Sequence, residues 1–269
     1  MYLEIFRGPI PTNNPEQVIL INYHLATTKG PNLFQNEKKE GAKSDVELFL
    51  VMVMKNPGPF TFKYFYQGDI KAMVVFLSVE ELESKIRVAD RFIHAVWKNG
   101  IVLFKKPQFS PCILPVAFDW LNEYNTLSGL CDAAQKKMEK FAALSKHCES
   151  QDGETAMCLL TNILEVGLLT YSRCRIGYFP KKVSLSSYID WTGVSTRSVR
   201  SFLVSFMEKD QLELLLHPSR LWWEDDPERI ACKENPYDKA IQLSSFFQRI
   251  IEEALEEIKS NINEPIILV

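Results

Sequence analysis

Histidine is scarce in this chain and cysteine is dispersed, which removes the usual material of a structural metal centre. The four histidines, His24, His94, His147 and His217, lie far apart, and the six cysteines, Cys112, Cys131, Cys148, Cys158, Cys174 and Cys232, include no Cys-x-x-Cys. Only His147 and Cys148 are adjacent, so a zinc site is not expected, and cysteines set in helical patterns predict buried thiols in a reducing compartment rather than a disulfide framework. No apolar run reaches the ~18 residues of a membrane span. Residues 1–15, MYLEIFRGPIPTNNP, place a proline and polar residues where a secretory leader needs its apolar segment, so a cytoplasmic protein with no membrane partner is expected. An excess of positive charge is also missing: the formal net charge is −3, so any nucleic-acid contact needs a local basic face. No internal repeat is present.

What the chain does have is core-forming material. With 46% hydrophobic and 24% charged residues over 269 positions, two ordinary domains are expected. Residues 16–24, EQVILINYH, form a β-branched run that predicts a strand, and 25–43 is a polar loop. The continuous apolar run LFLVMVM after Glu47 predicts a strand covered on both faces. FTFKYFY at 60–66 and IKAMVVFLS at 70–78 are spaced to pair as a hairpin across Gln67-Gly68-Asp69. The period then changes: 79–98 carries Leu82, Ile86, Ala89, Phe92, Ile93 and Val96 at helical spacing, with a short strand IVLF at 101–104 after Asn99-Gly100.

Pro107, Pro111 and Pro115 mark a linker over 107–115, dividing a first domain at 1–106 from a second at 116–269. Beyond it the pattern is helical, over 116–148, 155–175, 184–191, 195–209 and 238–262. The helix at 155–175 is apolar nearly all round, with Met157, Leu160, Leu164, Leu168 and Tyr171 on one face and Leu159, Ile163 and Val166 on the flanks, so it needs neighbours on most sides. Gly177 and Pro180 stop it. In the last helix Ile241, Leu243, Phe247, Ile250, Ala254, Leu255 and Ile258 make the inward face. LELLLHPSRLWW at 212–223 is expected as a small hairpin or an ordered loop, with Trp222 and Trp223 as packing residues.

The stretch GLLTYSRCRIGYFPKKVSLSSYI, with its Gly-aromatic-x-Pro-Lys corner, and the terminal helix after Asn235-Pro236-Tyr237 resemble the HEPN helical family. KSDVELFLVMV and VWKNGIVLFKK are similar to the acidic strand and the closing helix and strand of the nucleotidyltransferase family. The resemblance implies an α+β domain with a nucleotidyltransferase-like mixed sheet and helices, followed by an all-α HEPN-like helical bundle. It implies magnesium held by Asp45 and Glu47, which by strand parity share one side, although a strand-end pair facing water is the alternative. The family's Gly-Ser after the first strand, which holds nucleotide phosphates, is replaced by Tyr23-His24. Its third carboxylate falls near Ser78, with Glu80, Glu81 or Asp69 as nearby substitutes.

A nuclease of the HEPN type would need Arg-x4–6-His, and the one match, Arg87 to His94, lies in the first domain on ordinary helical positions. At the corner, where a His is often found, this chain has Val183. Arg173, Arg175, Lys181 and Lys182 gather at the end of the central helix, where they suit a phosphate or an acidic partner, or simply the helix dipole. A degenerate protein that acts by binding is therefore expected, its partner a nucleotide or RNA, another protein chain or a second copy of itself.

A different class competes for residues 185–224. SLSSYIDWTGVSTRSVRSFLVSFMEKDQLELLL resembles a helix-turn-helix with a wing at 212–224, in which Ser195 caps a recognition helix and Thr196, Arg197, Ser198, Arg200 and Ser201 face outward to duplex DNA. That reading makes the protein a winged-helix transcriptional regulator.

Overall fold

In a computed structural model of the chain, the residues described are 14–25, 46–57, 62–110, 118–148, 153–178, 180, 183–218 and 235–262. Asp45, Lys181, Lys182, Cys112, Cys232, Pro111, Pro115, Trp222 and Trp223 lie outside them. The chain divides into two compact units: one holds the chain to Phe118 with the short stretch Pro180–Val183, the other Asp119–Phe179 and Ser184–Val269.

The first unit is built on a strand that is apolar on both faces. Strand β2 (Val46–Met54) is the middle of a five-stranded sheet in the order β3-β4-β2-β1-β5, where β1 is Gln17–Leu25, β3 Phe62–Gln67, β4 Ile70–Ser78 and β5 Ile101–Lys105. Every residue from Leu48 to Met54 is buried, as its unbroken apolar run requires. The sheet is mixed: β2 runs parallel to β4, and the other three pairings are antiparallel. β3 and β4 form the expected hairpin, turning at Gly68, whose φ of 55° suits a residue without a side chain. Val18, Leu20, Leu48, Leu50, Met52, Ala72, Val74 and Phe76 make the core of one face.

The single helix expected over 79–98 is two. Helix α1 (Val79–Arg87) starts at Ser78, whose hydroxyl accepts from the Glu81 amide at 2.9 Å. The chain breaks at Ala89, which takes a left-handed φ of 50°, and α2 (Arg91–Asn99) begins with the Asp90 carboxylate accepting from the Ile93 amide at 3.1 Å. Asp90 also binds Lys85 at 2.8 Å, fastening the corner. Apolar spacing runs through this break, which is why periodicity alone does not show it.

The second unit is all helical among the described residues. Helix α3 (Trp120–Ser145), α4 (Gly153–Arg175) and α8 (Pro236–Ile262) are its three long members, packed against one another, with α5 (Leu185–Thr192), α6 (Ser198–Phe206) and α7 (Lys209–Leu216) completing it. α4 is the interior helix: Met157, Leu160, Ile163, Leu164 and Leu168 are fully buried. It is long and apolar enough by composition to cross a membrane, yet 61% of its most apolar stretch is buried within the protein. Gly177, with φ of 84°, ends it as expected, donating to the Ser172 and Arg173 carbonyls. On α8 the inward face includes Leu243, Phe246, Phe247, Ile250, Ile251, Ala254 and Ile258; Ile241, expected inward, is exposed.

Candidate functional site

The pairing register of the sheet brings together side chains that are far apart in sequence. Glu47 on β2 pairs with His24 on β1 and with Lys71 on β4, and Lys71 pairs with Tyr66 on β3. Paired residues of neighbouring strands share a face, so His24, Glu47, Lys71 and Tyr66 form one row across four strands. Glu47 and Lys71 are each only 8% exposed, which leaves a carboxylate and an ammonium nearly out of water at adjacent positions. The parallel pairing of β2 with β4 sets the two residues side by side on one face of the sheet.

Aromatic rings surround the pair. The His24 ring meets Phe49 edge-on with centroids 5.5 Å apart. The Lys71 ammonium lies 4.9 Å from the centre of the Tyr64 ring, a cation–π contact. Tyr64 stacks on Tyr66 at 6.2 Å and meets Phe62 at 5.2 Å, so the same face of β3 is a ladder of rings. Its outermost member, Tyr66, is 65% exposed. A row of this kind offers a flat aromatic surface beside a fixed cation and an imidazole.

His24 joins the row through a bulge. β1 alternates with Val18 and Leu20 on the opposite face, so simple parity places His24 there too. Between Leu20 and Asn22 the register slips by one residue, and from there His24 falls opposite Glu47. The Asn22 side chain accepts from the Tyr23 amide at 2.8 Å within this stretch.

The place expected for a third carboxylate is corrected by the same register. Ser78 pairs with Met54, at the other end of β2 from Glu47, and about 23 Å separates the two ends at roughly 3.3 Å per residue. Ser78 serves instead as the cap of α1, and Glu80 and Glu81 lie in that helix's first turn. Asp69 is at the Glu47 end, where its carbonyl accepts from the Val46 amide at 3.1 Å. Two-metal chemistry needs carboxylates converging from adjacent strands, and across from Glu47 those strands supply an imidazole and an ammonium. Among the described residues no three Asp, Glu, His or Cys side chains gather to hold a metal ion. Asp45, the acid expected to hold magnesium with Glu47, lies outside the described residues, so the described neighbours of Glu47 across the strands are His24 and Lys71.

Of the four residues in the expected basic cluster, Arg173 and Arg175 are among the described residues and Lys181 and Lys182 are not. Of the basic cluster, Arg175 forms an ion pair with Glu257 on α8, and Arg173 is exposed. Arg87 ends α1 in an exposed position, and His94 lies on α2 against Phe118 with ring centroids 5.5 Å apart, so the two share no helix.

The winged-helix reading also meets corrections. Arg200, expected outward, binds Asp190, which is buried on α5. Ser195 does not cap the following helix: α6 begins at Ser198, and the Ser195 hydroxyl lies 3.2 Å from the Tyr171 hydroxyl of α4. Thr196 accepts from the Ser198 amide at 3.1 Å, Arg197 is half-buried, and Ser198 and Ser201 are exposed. Residues 212–216, expected in a hairpin or loop, belong to α7, where Leu212, Leu214, Leu215 and Leu216 are buried. His217 caps the end of that helix, and residues 219–224 of the wing lie outside the described residues.

Lys71 and Tyr66 are the site members that sequence reasoning missed. The available signal was a lone charge inside IKAMVVFLS, a strand otherwise apolar on both faces. No family model and no curated protein matches the chain. Among solved structures it is similar to a nucleotidyltransferase-like protein from Exiguobacterium sibiricum 255-15, at 11% identity and a TM-score of 0.28, with 98% of this chain and 82% of that one covered. A likeness that weak carries no weight for the role of any residue.

Proposed function

We propose that this protein is a catalytically degenerate member of the nucleotidyltransferase–HEPN type, and that its sheet unit binds a nucleotide or an RNA end without needing magnesium. The observation that supports this is the row His24, Glu47, Lys71 and Tyr66. An exposed tyrosine ring offers a base a stacking surface, and a lysine held beside it supplies locally the positive charge that a metal would otherwise bring to phosphate. The HEPN-like part of the proposal rests on the order long buried α4, Gly177 corner, short α5 and terminal α8. In that corner the Trp191 indole donates to the Tyr178 carbonyl at 3.0 Å and ties α5 to the end of α4. A cytoplasmic setting belongs to the same proposal and agrees with Cys131, Cys148, Cys158 and Cys174 being outside any disulfide.

The test is calorimetric titration with ATP and with a short oligoribonucleotide, each in magnesium and in EDTA. Binding is expected in both, and Tyr66→Ala, a change at an exposed ring, should weaken it by about 5- to 100-fold, the loss of one stacked base. Binding that vanishes in EDTA and in an Asp45→Ala, Glu47→Ala variant would replace this reading with a metal-dependent one. Absence of binding in every arm would reject a nucleotide or RNA ligand and leave the protein-partner reading.

A further inference from the structure

Two thiols meet across the helical unit. Cys131 of α3 and Cys174 of α4 have their sulfur atoms 3.3 Å apart, although 43 positions separate them in sequence. Cys174 is 1% exposed and Cys131 is half-buried, so one sulfur can meet a small solute while the other is shielded. A disulfide spans about 2.05 Å, so closing the pair brings the two sulfurs about 1.2 Å nearer to each other. We propose that Cys131 and Cys174 form a hydroperoxide-reactive dithiol site that closes to a disulfide between α3 and α4.

The order of events follows from exposure. The Cys131 sulfur, as thiolate, attacks one oxygen of hydrogen peroxide; an S–O bond forms, the O–O bond breaks, and the departing hydroxide takes a proton to become water. Cys131 is then a sulfenic acid. The Cys174 sulfur attacks it; the S–S bond forms, the S–O bond breaks, and the oxygen leaves as a second water carrying the Cys174 proton. Two thiols lose two electrons, and one peroxide is reduced to two waters. The hydrogen bond from Cys174 pushes the Cys131 thiol below the usual range, against the opposing effects of burial and of Asp132. That bond both raises the thiolate fraction and holds the resolving sulfur in place.

The experiment treats the reduced full-length protein with stoichiometric hydrogen peroxide and maps the alkylated peptides. The expected result is two fewer alkylatable thiols, a Cys131–Cys174 linked peptide, recovery with dithiothreitol, and a rise in melting temperature of about 5 °C from the closed loop. In Cys174→Ala the sulfenic acid on Cys131 should persist and react with dimedone. Should that variant fail to fold, the linked peptide in the wild type decides alone. Preferential oxidation of other cysteines, or conversion of Cys131 to sulfinic acid without a linked peptide, overturns the proposal.

Discussion

A carboxylate removed from water needs a cation or a set of donors beside it, and Asp190 has Arg200. This assignment separates a structural arginine from a DNA-reading one. Replacing Arg200 with alanine leaves a buried charge, so urea denaturation should show a loss of about 3 kcal/mol. An arginine that only touched phosphates would leave stability nearly unchanged and would reduce the salt dependence of duplex binding instead. A second residue-scale expectation concerns His94. Burial, reinforced by Lys98, pulls its pKa below the ordinary histidine value. The unfolded chain therefore takes up the proton first as pH falls. The stability contributed by neutral His94 is complete above about 6.5 and is lost as pH drops through that value toward the lower folded one. Thermal melts of wild type and His94→Gln between pH 8 and 5 should diverge in this sense, with the variant showing the flatter profile; parallel profiles would remove His94 from the account.

Between α4 and α8 the approach is set by a glycine. A methyl group at Gly167 would run into the Phe247 ring, meeting its Cδ1 at 2.7 Å, and Phe247 is fully buried. Gly167→Ala should therefore lower the denaturation midpoint by an amount corresponding to about 1–2 kcal/mol, overpacking outweighing the gain in helix propensity. On α3, Gly129 has nothing within 4 Å of such a methyl, and Gly129→Ala should raise stability by about 0.5–1 kcal/mol. Equal effects of the two substitutions would show that the α4–α8 contact is looser than described. Elements of this kind were largely legible in the sequence: the apolar run of β2, the β3–β4 hairpin and the all-round apolar α4 follow from local patterns. Three features were not. The break between α1 and α2 leaves the apolar spacing intact. The β1 bulge changes the face of His24 without changing a residue type. The parallel pairing of β2 with β4, which skips over β3 in sequence, sets Lys71 rather than Ser78 beside Glu47. Register between distant strands is fixed by the assembled core, and a single chain read locally carries little record of it.

At the scale of the whole molecule, the proposed nucleotidyltransferase–HEPN reading is of a protein that departs from both families at residues that would do the chemistry. On that reading Tyr23 and His24 replace the glycine and serine that hold phosphates, and Glu47 pairs with His24 and Lys71 across the strands. In the helical unit Arg175 is engaged by Glu257, and Arg87 and His94, the spacing that suggested a nuclease, lie on two separate helices of the other unit. Transfer of a nucleotidyl group requires metals preorganised around the attacking and leaving oxygens; an ammonium can hold a phosphate but cannot lower the pKa of an attacking hydroxyl as a metal does. The expected outcome is therefore no label transfer from any triphosphate to protein or RNA acceptors, in magnesium or manganese, and no RNA cleavage, while the binding described above persists. Lys71→Glu carries the argument further. It places a second carboxylate beside Glu47, and if the lysine is what makes binding independent of metal, that variant should bind nucleotide only in magnesium or manganese. Label transfer by the wild type that disappears in Asp45→Ala, Glu47→Ala would instead make those two acids working metal ligands, and Lys71 their neighbour rather than their replacement.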